Sequence, residues 1–111
     1  MIIATRTLQL RTKNGIVEIP IRVFAPERAA VDWSCRFEIE WPEGKLERFA
    51  AGIDAVQALL FALQMIGAII YASQYHEKGN LQWLEPGRGY GFPVANSIRD
   101  LLIGDDARYG A

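Results

Sequence analysis

Cysteine and histidine are scarce in this sequence, since each occurs once among 111 residues. A single thiol cannot form a disulfide within the chain, which fits a reducing compartment, and the apolar pattern around Cys35 predicts a core position. A tetrahedral metal site needs several His or Cys ligands, so no metal site is expected. His76 would have to serve in any triad with Ser or Cys, but it stands in a polar stretch beside Glu77 and Lys78. We therefore predict no catalytic residue and no cofactor.

An excess of charge of either sign is also missing, because the formal net charge is −1. Without a basic excess the chain has no general attraction for nucleic acid or for anionic membranes. The first residues lack the basic and apolar regions of a signal peptide. We expect a cytoplasmic protein that binds neither nucleic acid nor membrane.

Charge is absent altogether from residues 55–75. At about 1.5 Å per residue a helix of this length could cross a bilayer core of about 30 Å. No basic cluster flanks the segment, as is usual for membrane spans. Four polar residues also interrupt it, namely Gln57, Gln64, Ser73 and Gln74. We therefore predict a buried helix that covers amphipathic strands.

The overall composition is that of a globular domain, with half of the residues hydrophobic and 23% charged. At this length one core is expected, so residues 1–111 are predicted to form a single domain with a frayed tail at 104–111. Alternating apolar and polar residues predict strands before the charge-free helix. The sequence indicates an α+β fold. An antiparallel sheet of four to five strands, beginning with two hairpins, packs on one long helix, and a short helix follows near the C-terminus.

The first predicted hairpin spans residues 4–24, and Asn14-Gly15 marks its turn. If these two residues form the loop of a type I′ turn, Leu8 lies opposite Ile21. In that register Pro20 falls at a hydrogen-bonded pair, and it has no N–H to donate. A bulge, a wider loop or an edge position is therefore expected at Pro20.

The second predicted hairpin begins with residues 31–41, which alternate between apolar and polar without a slip. Residues 42–44, Pro-Glu-Gly, predict a turn. Residues 46–51 are predicted to return as the next strand, and residues 81–84 to add a short fifth one.

The long helix is predicted to begin at Asp54, a suitable capping residue, and to run to about Gln74. Five apolar residues share one face at a period of about 3.6 and predict the side that packs on the sheet, namely Val56, Leu59, Leu63, Ile66 and Ile70. The opposite side is amide and aromatic rather than charged, with Gln57, Leu60, Phe61, Gln64, Ala68, Tyr71 and Tyr75. Such a composition is typical of interfaces. Either the C-terminal third of the chain folds over this side, or another protein or a second copy of the chain does.

The glycine-rich stretch at residues 88–94 resembles the ribonucleoprotein octamer of RNA-recognition motifs. Pro93 stands where that family has an aliphatic residue and Ala95 where it has an aromatic one, so RNA binding is not expected. The stretch also lacks the Lys-Ser/Thr pair of a phosphate-binding loop. We predict a turn-rich loop here and a helix at 96–103.

Two groups of residues are candidates for binding. A protein partner would contact the acidic sheet face or the amide-aromatic helix side, through Glu38, Glu40, Gln57, Phe61, Gln64, Tyr71 and Tyr75. A solvated sheet face, with Arg36 among the acids, is the simpler interpretation of the acidic positions. A small ligand would occupy a pocket between the helix end and the glycine-rich loop, lined by His76, Trp83, Arg88 and Tyr90.

Several short patterns along the chain resemble a family of small uncharacterised bacterial α+β domains. They are Gly52-x-Asp54-Ala55-x-Gln57-Ala58-Leu59, Ala62-Leu63-x-x-Ile66, Leu81-x-Trp83 and Gly91-Phe92-Pro93. The resemblance implies a bacterial source and no activity, substrate or catalytic residue. Compact acidic α+β proteins are also common among bacterial immunity proteins, which is an analogy of size and class. We expect a non-enzymatic interaction module, immunity-like or accessory, that binds through the sheet face or the helix flank. The alternative is a small-ligand binder or an enzyme with a pocket at the helix end.

Overall fold

The computed structural model describes residues 1–95 and 101–109 of the chain. Its elements are β1 (Ile2–Thr12), β2 (Gly15–Phe24), β3 (Glu27–Arg28), β4 (Trp33–Trp41), β5 (Gly44–Gly52), α1 (Ala55–Ala72), α2 (Gln74–Glu77), β6 (Leu81–Gln82) and α3 (Gly104–Tyr109). The predicted α+β class is confirmed: an antiparallel sheet packs on one long helix, and a short C-terminal helix follows. The helix predicted at 96–103 falls largely outside the described residues. The C-terminal helix observed, α3, lies where we expected a frayed tail.

The sheet is antiparallel throughout, with β1 between β2 and β6 and with β4 paired to β2, β3 and β5. Because β5 follows one edge of β4 along its whole length, β2 and β3 share the other edge. The pairing of β2 with β4 is short, from Ile21 to Val23. The first half of β2 therefore has a described strand neighbour only on its β1 side.

The β1–β2 hairpin differs from the prediction in register. Leu8 lies opposite Ile19 instead of Ile21, because the two loop residues are Lys13-Asn14. The positive φ is found at Gly15 (119°) and not at Asn14. Glycine thus follows the turn instead of occupying its second central position. The same side chains still face the core, because each partner shifts by two residues and side-chain direction repeats every two.

Pro20 lies opposite Thr7, and the ladder continues past it without the bulge that was one of the expected solutions. The irregularity in this pair of strands lies between Ile2 and Ala4. Pro20 is also the residue just before the β2–β4 pairing, which begins at Ile21. It therefore occupies the edge position that was another of the expected solutions, where a missing N–H is tolerated.

The core lies between the sheet and α1. The sheet contributes fully or almost fully buried residues, namely Leu8, Leu10, Ile19, Ile21, Val23, Cys35, Phe37, Ile39 and Ala50. The helix rests on β4 and β5. Its buried residues are Ala58, Ala62, Ile66, Gly67, Ile70 and Tyr71. The alternation predicted for the strand at 31–41 is thus observed at its centre, whereas Val31 precedes β4 and is exposed.

The predicted packing face of α1 is partly wrong. Val56 is 75% exposed, whereas Ala58 and Ala62 are fully buried. A helix that is apolar on nearly every side gives little information about its rotation, so large residues alone do not identify the packed face. Two small residues one turn apart let the helix backbone approach the sheet closely. Ile66 and Ile70 lie on this face as predicted.

Asp54 caps α1 as predicted, since its side chain accepts a hydrogen bond of 2.8 Å from the Gln57 N–H. The Gln57 side chain in turn accepts one of 2.7 Å from the Ile53 N–H, an arrangement close to a capping box. Just before this turn, a Cβ atom at Gly52 would lie 2.4 Å from the Ala58 nitrogen. The end of β5 therefore contacts the first turn of α1 directly.

By length and composition α1 could cross a membrane, with 18 residues of mean hydropathy 1.9. Its buried residues, however, belong to the same core as the strands. We interpret α1 as the core helix of this domain, as predicted.

Candidate functional site

The outer face of the sheet contains the acidic positions Glu38 and Glu40, and both are paired with cations. Glu38 is 7% exposed and lies 3.4 Å from Arg22, 3.5 Å from Arg36 and 3.4 Å from Lys45. Glu40 lies 3.1 Å from Arg22. Burial alone would raise the pKa of Glu38, but Lys45 and Arg22 outweigh it and hold that pKa below its ordinary value.

The same network includes Glu47, which lies 3.6 Å from Arg36 and 3.7 Å from Lys45. The guanidinium of Arg36 also lies 3.7 Å from the ring centre of Phe24. Acids and cations are equal in number in this network, so the face presents little free negative charge. The acids are paired with cations, Arg36 among them, as the simpler interpretation expects, but Glu38 itself is buried and not solvated.

The first three turns of α1, and Ile53 just before its cap, present apolar side chains to solvent. Ile53 and Val56 are 83% and 75% exposed, and Leu60, Phe61 and Met65 are between 36% and 42% exposed. We call this surface the outer helix face, consisting of Ile53, Val56, Gln57, Leu60, Phe61, Gln64 and Met65. Three of the predicted partner-binding residues, Gln57, Phe61 and Gln64, lie together on it.

The last two turns of the same side are covered by residues 92–94, which we call the C-terminal segment. A Cβ atom at Gly67 would lie 2.9 Å from the Pro93 carbonyl oxygen and 2.9 Å from a Val94 methyl group. Tyr71 is buried, so we remove it from the predicted partner-binding surface. The sequence left open what covers the amide-aromatic side of the helix, and the two halves of that side differ. Among the described residues, the C-terminal third covers the second half of this helix side, whereas Val56, Leu60 and Phe61 on the first half are exposed.

Tyr75 lies beyond the end of α1 and contacts the β4–β5 turn. Its ring stacks on Trp41 with centroids 5.2 Å apart, and its hydroxyl donates a 2.5 Å hydrogen bond to Glu43. Tyr75 therefore lies apart from the outer helix face.

The predicted ligand pocket is only partly assembled. His76 and Tyr90 do meet, with 2.6 Å between the imidazole Nδ1 and the phenol oxygen. Trp83 instead lies under the guanidinium of Arg6, 3.9 Å from its ring centre. Arg88 is exposed and forms a 2.6 Å ion pair with Asp105.

The His76–Tyr90 contact belongs to an aromatic cluster with Tyr71, whose ring packs edge-to-face against both. Burial raises the pKa of Tyr90 to about 12 and also raises the pKa of Tyr71. Burial lowers the pKa of His76, which favours its neutral form. At neutral pH the cluster therefore consists of three uncharged side chains, of which His76 and Tyr90 hydrogen-bond each other and Tyr71 contacts both through its ring.

Two cavities lie away from the His76–Tyr90 contact. One of about 180 Å³ lies between β1 and the C-terminal segment and is lined by Arg6, Ile21, Leu63 and Phe92 among others. A more open one adjoins Trp41 and Tyr75. Neither is lined by His76 or Arg88. Within residues 1–95 and 101–109 no group of three or more His, Cys, Asp or Glu could hold a metal ion.

Cys35 is buried in β4, where its thiol donates a 3.3 Å hydrogen bond to the Phe24 carbonyl oxygen. Burial raises the pKa of this thiol, so the unreactive protonated form is favoured.

Sequence reasoning missed one buried charged residue, Asp106, which is 1% exposed in α3. It lies in a stretch without apolar periodicity, so no pattern predicted its burial. The signal that could have found its partner is the alternation of glycines at 87, 89 and 91. Such spacing suits a loop whose backbone N–H groups converge on an anion.

A family model for a domain of unknown function matches residues 4–94. No curated protein and no solved structure matches significantly. The match covers the sheet, α1 and the loop up to Val94, and it ends before α3.

Proposed function

The chain belongs to the DUF6968 family of domains of unknown function, and we propose that it is a non-enzymatic protein-binding domain whose contact surface is the outer helix face. The observation that supports this proposal is the exposure of five large apolar side chains, four on the first turns of α1 and one, Ile53, just before its cap. Solvated helix faces normally present Lys and Glu, whereas exposed apolar patches often mark interaction sites.

The chemistry of the face indicates the kind of partner. No residue of α1 is charged, so a charged partner surface would lose its solvation without gaining an ion pair. Aromatic and aliphatic side chains with two amides suit an apolar surface that also offers hydrogen-bond groups, such as one side of an amphipathic helix.

We propose another protein rather than a second copy of the chain. Two copies of this face would bring together only the few large side chains that each exposes. A stable interface of standard size involves about 20–30 residues from each partner. A different protein could extend the contact onto neighbouring parts of the sheet, including the cavity beside Val31 and Gln57.

A charge-neutral double variant tests the surface. Val56→Glu with Leu60→Lys places a favourable i,i+4 pair on the helix and removes two apolar contacts without altering net charge. The matched control is Ile16→Glu with Phe49→Lys, which removes from the sheet two exposed apolar residues, 62% and 63% exposed against 75% and 42% for Val56 and Leu60. Melting curves verify that both variants fold.

The measurement is quantitative capture of proteins from the native host by the tagged wild-type chain and both variants. We expect a protein retained by wild type and control but reduced at least tenfold by the helix variant. Equal retention by all three would contradict the proposed surface. If the wild-type chain retains no protein and sediments as a monomer, the proposed protein-binding function is wrong. If the wild-type chain forms a dimer and the helix variant does not, the partner of the outer helix face is a second copy of the chain and not another protein.

The finer form of the proposal places this domain in the cytoplasm of a bacterium as an immunity-like or accessory factor. It is supported by size, by class and by the single cysteine. Identification of the captured protein would test it.

A further inference from the structure

The loop Gly87–Gly91, which we call the glycine loop, folds around a carboxylate. Its three glycines have φ values of 79°, 90° and 78°, the left-handed region in which side chains are disfavoured. A backbone that alternates in this way turns successive N–H groups toward one concave side, where anions bind. A Cβ atom at Gly89 would lie 2.5 Å from the Asp106 carboxyl carbon, so glycine is also required for space.

Both oxygens of the enclosed carboxylate accept hydrogen bonds. The Tyr90 N–H donates to Asp106 Oδ2 and the Gly91 N–H to Oδ1, each at 2.8 Å. The Tyr71 hydroxyl donates to Oδ2 at 2.6 Å. Two N–H groups on two oxygens match the planar fork of a carboxylate.

A positive charge stands beside this site. The Arg6 guanidinium donates a 3.1 Å hydrogen bond to the Tyr90 carbonyl oxygen and lies over the rings of Trp83 and Phe92. Burial lowers the pKa of Arg6, and the charge of Asp106 acts in the opposite direction. Arg6 therefore favours an anion in the site without being its direct donor.

The groups that surround the carboxylate lie inside the range matched by the family model, whereas the carboxylate itself lies outside it. Arg6, Tyr71, Tyr90 and Gly91 all lie within residues 4–94, whereas Asp106 lies outside that range. The binding groups thus belong to the family domain, and the carboxylate comes from a segment beyond it. The described polar contacts of that segment are few. Besides those of Asp106 they include the exposed Arg88–Asp105 pair, a 2.8 Å bond from the Asp105 N–H to Arg88 O and a 3.3 Å bond from the Ile103 N–H to the Tyr71 hydroxyl.

We propose that the glycine loop with Tyr71 and Arg6 is a peptide-carboxylate site, which Asp106 fills within the chain and which an acidic residue or chain end of another peptide fills when the segment with α3 is displaced. The site is separate from the outer helix face. The failure of one proposal therefore leaves the other unaffected.

The first test is chemical rescue of the full-length Asp106→Ala variant. Acetate is titrated during thermal unfolding at constant ionic strength, with chloride as the salt control and acetamide as the neutral control. We expect acetate to raise the melting temperature of the variant by several degrees and to saturate, with little effect on the wild-type chain. Adding Tyr71→Phe to the variant should weaken acetate binding about fivefold or more, the equivalent of one hydrogen bond.

The second test uses peptides with the sequence of residues 101–108 on the Asp106→Ala chain. A peptide with blocked ends and Asp at position 106 is compared with its Asn version and with an all-Ala version that has a free C-terminus. Binding of the Asp peptide alone identifies a side-chain carboxylate as the ligand. Binding of the free-ended peptide identifies a chain end.

Several results would overturn the proposal. They are the absence of rescue by acetate, equal effects on variant and wild type, and stronger rescue by inorganic phosphate than by acetate. If Asp106→Ala does not fold in chloride, refolding in acetate takes the place of the melting experiment. Failure to refold there would likewise count against the site.

Discussion

The Tyr71 hydroxyl donates a 2.6 Å hydrogen bond to Asp106 and so joins the long helix to the C-terminal one. The two residues are 35 positions apart in sequence, and both are buried. The contact fixes α3 against the family domain and completes the carboxylate site.

Tyr71→Phe should lower the free energy of unfolding by about 1–3 kcal/mol, because it removes a buried hydrogen bond to a charged group. The matched control is Tyr75→Phe, whose hydroxyl bonds the exposed Glu43. The control should change stability by no more than about 0.5 kcal/mol. Urea denaturation of both variants measures the difference. Equal effects would show that the Tyr71–Asp106 bond is no stronger than a surface one.

Gly67→Ala should destabilise the protein by about 1–3 kcal/mol, although Ala normally stabilises a helix by about 1 kcal/mol relative to Gly. The reason is that a Cβ atom there would lie 2.9 Å from the Pro93 carbonyl oxygen. The neighbouring Ala68→Gly change calibrates the propensity term in the same helix. A stabilised Gly67→Ala variant would show that residues 92–94 do not pack closely on α1.

Glu38→Gln should cost about 1–3 kcal/mol, because it leaves cations around a buried position without their central partner. Glu40→Gln, on the same strand but more exposed, should cost less than about 1 kcal/mol. The pKa of Glu38 is lowered in the folded chain. Its contribution is therefore complete above its ordinary pKa of 4.5 and is lost as pH falls through the lower folded value. Chemical denaturation at neutral and acid pH measures both effects.

His76 should make the protein less stable in mild acid. Burial lowers its pKa below the ordinary 6.5, so between the two values the unfolded chain binds more protons. Stability should therefore fall as pH decreases below about 6.5 and should show no His76 contribution above it. His76→Gln should flatten this part of the profile. An NMR titration of the wild-type imidazole checks the direction, and a pKa above 6.5 would contradict it.

The fold could be predicted from sequence where burial creates a clear period. Strand β4 alternates without a slip, and Asp54 supplies a distinct start for α1, so both elements were found. The rotation of α1 could not be predicted, because a helix without charged residues offers apolar side chains in every direction. Ala58 and Ala62 define the packed face through their small size, which a hydrophobicity pattern does not weight.

The hairpin register shows a second limit. Asn14-Gly15 correctly marks a turn, but the same pair fits two loops that differ by one residue. The choice depends on whether positive φ falls on both residues or on Gly15 alone. The sequence does not contain that information locally.

The carboxylate site was beyond sequence reasoning for a different reason. Arg6, Tyr71, the glycine loop and Asp106 come from four distant parts of the chain, and tertiary packing alone brings them together. Of the residues predicted for a ligand pocket, His76 and Tyr90 meet, but Arg88 turns to Asp105. The spacing of the glycines can be read from the sequence, but the sequence does not show that Asp106 supplies the anion they surround.

The short pairing between β2 and β4 has a consequence for behaviour at high concentration. The first half of β2 precedes the pairing with β4, which begins at Ile21. Its backbone groups lie along a sheet edge, beside the exposed side chains of Ile16 and Val17. Such an edge is a template for adding strands from other molecules. Glu18 contributes a charge there and Pro20 lacks an N–H, and both features oppose intermolecular β-sheet growth. We therefore expect replacement of Glu18 or Pro20 by an uncharged residue with a free N–H to increase aggregation at high concentration.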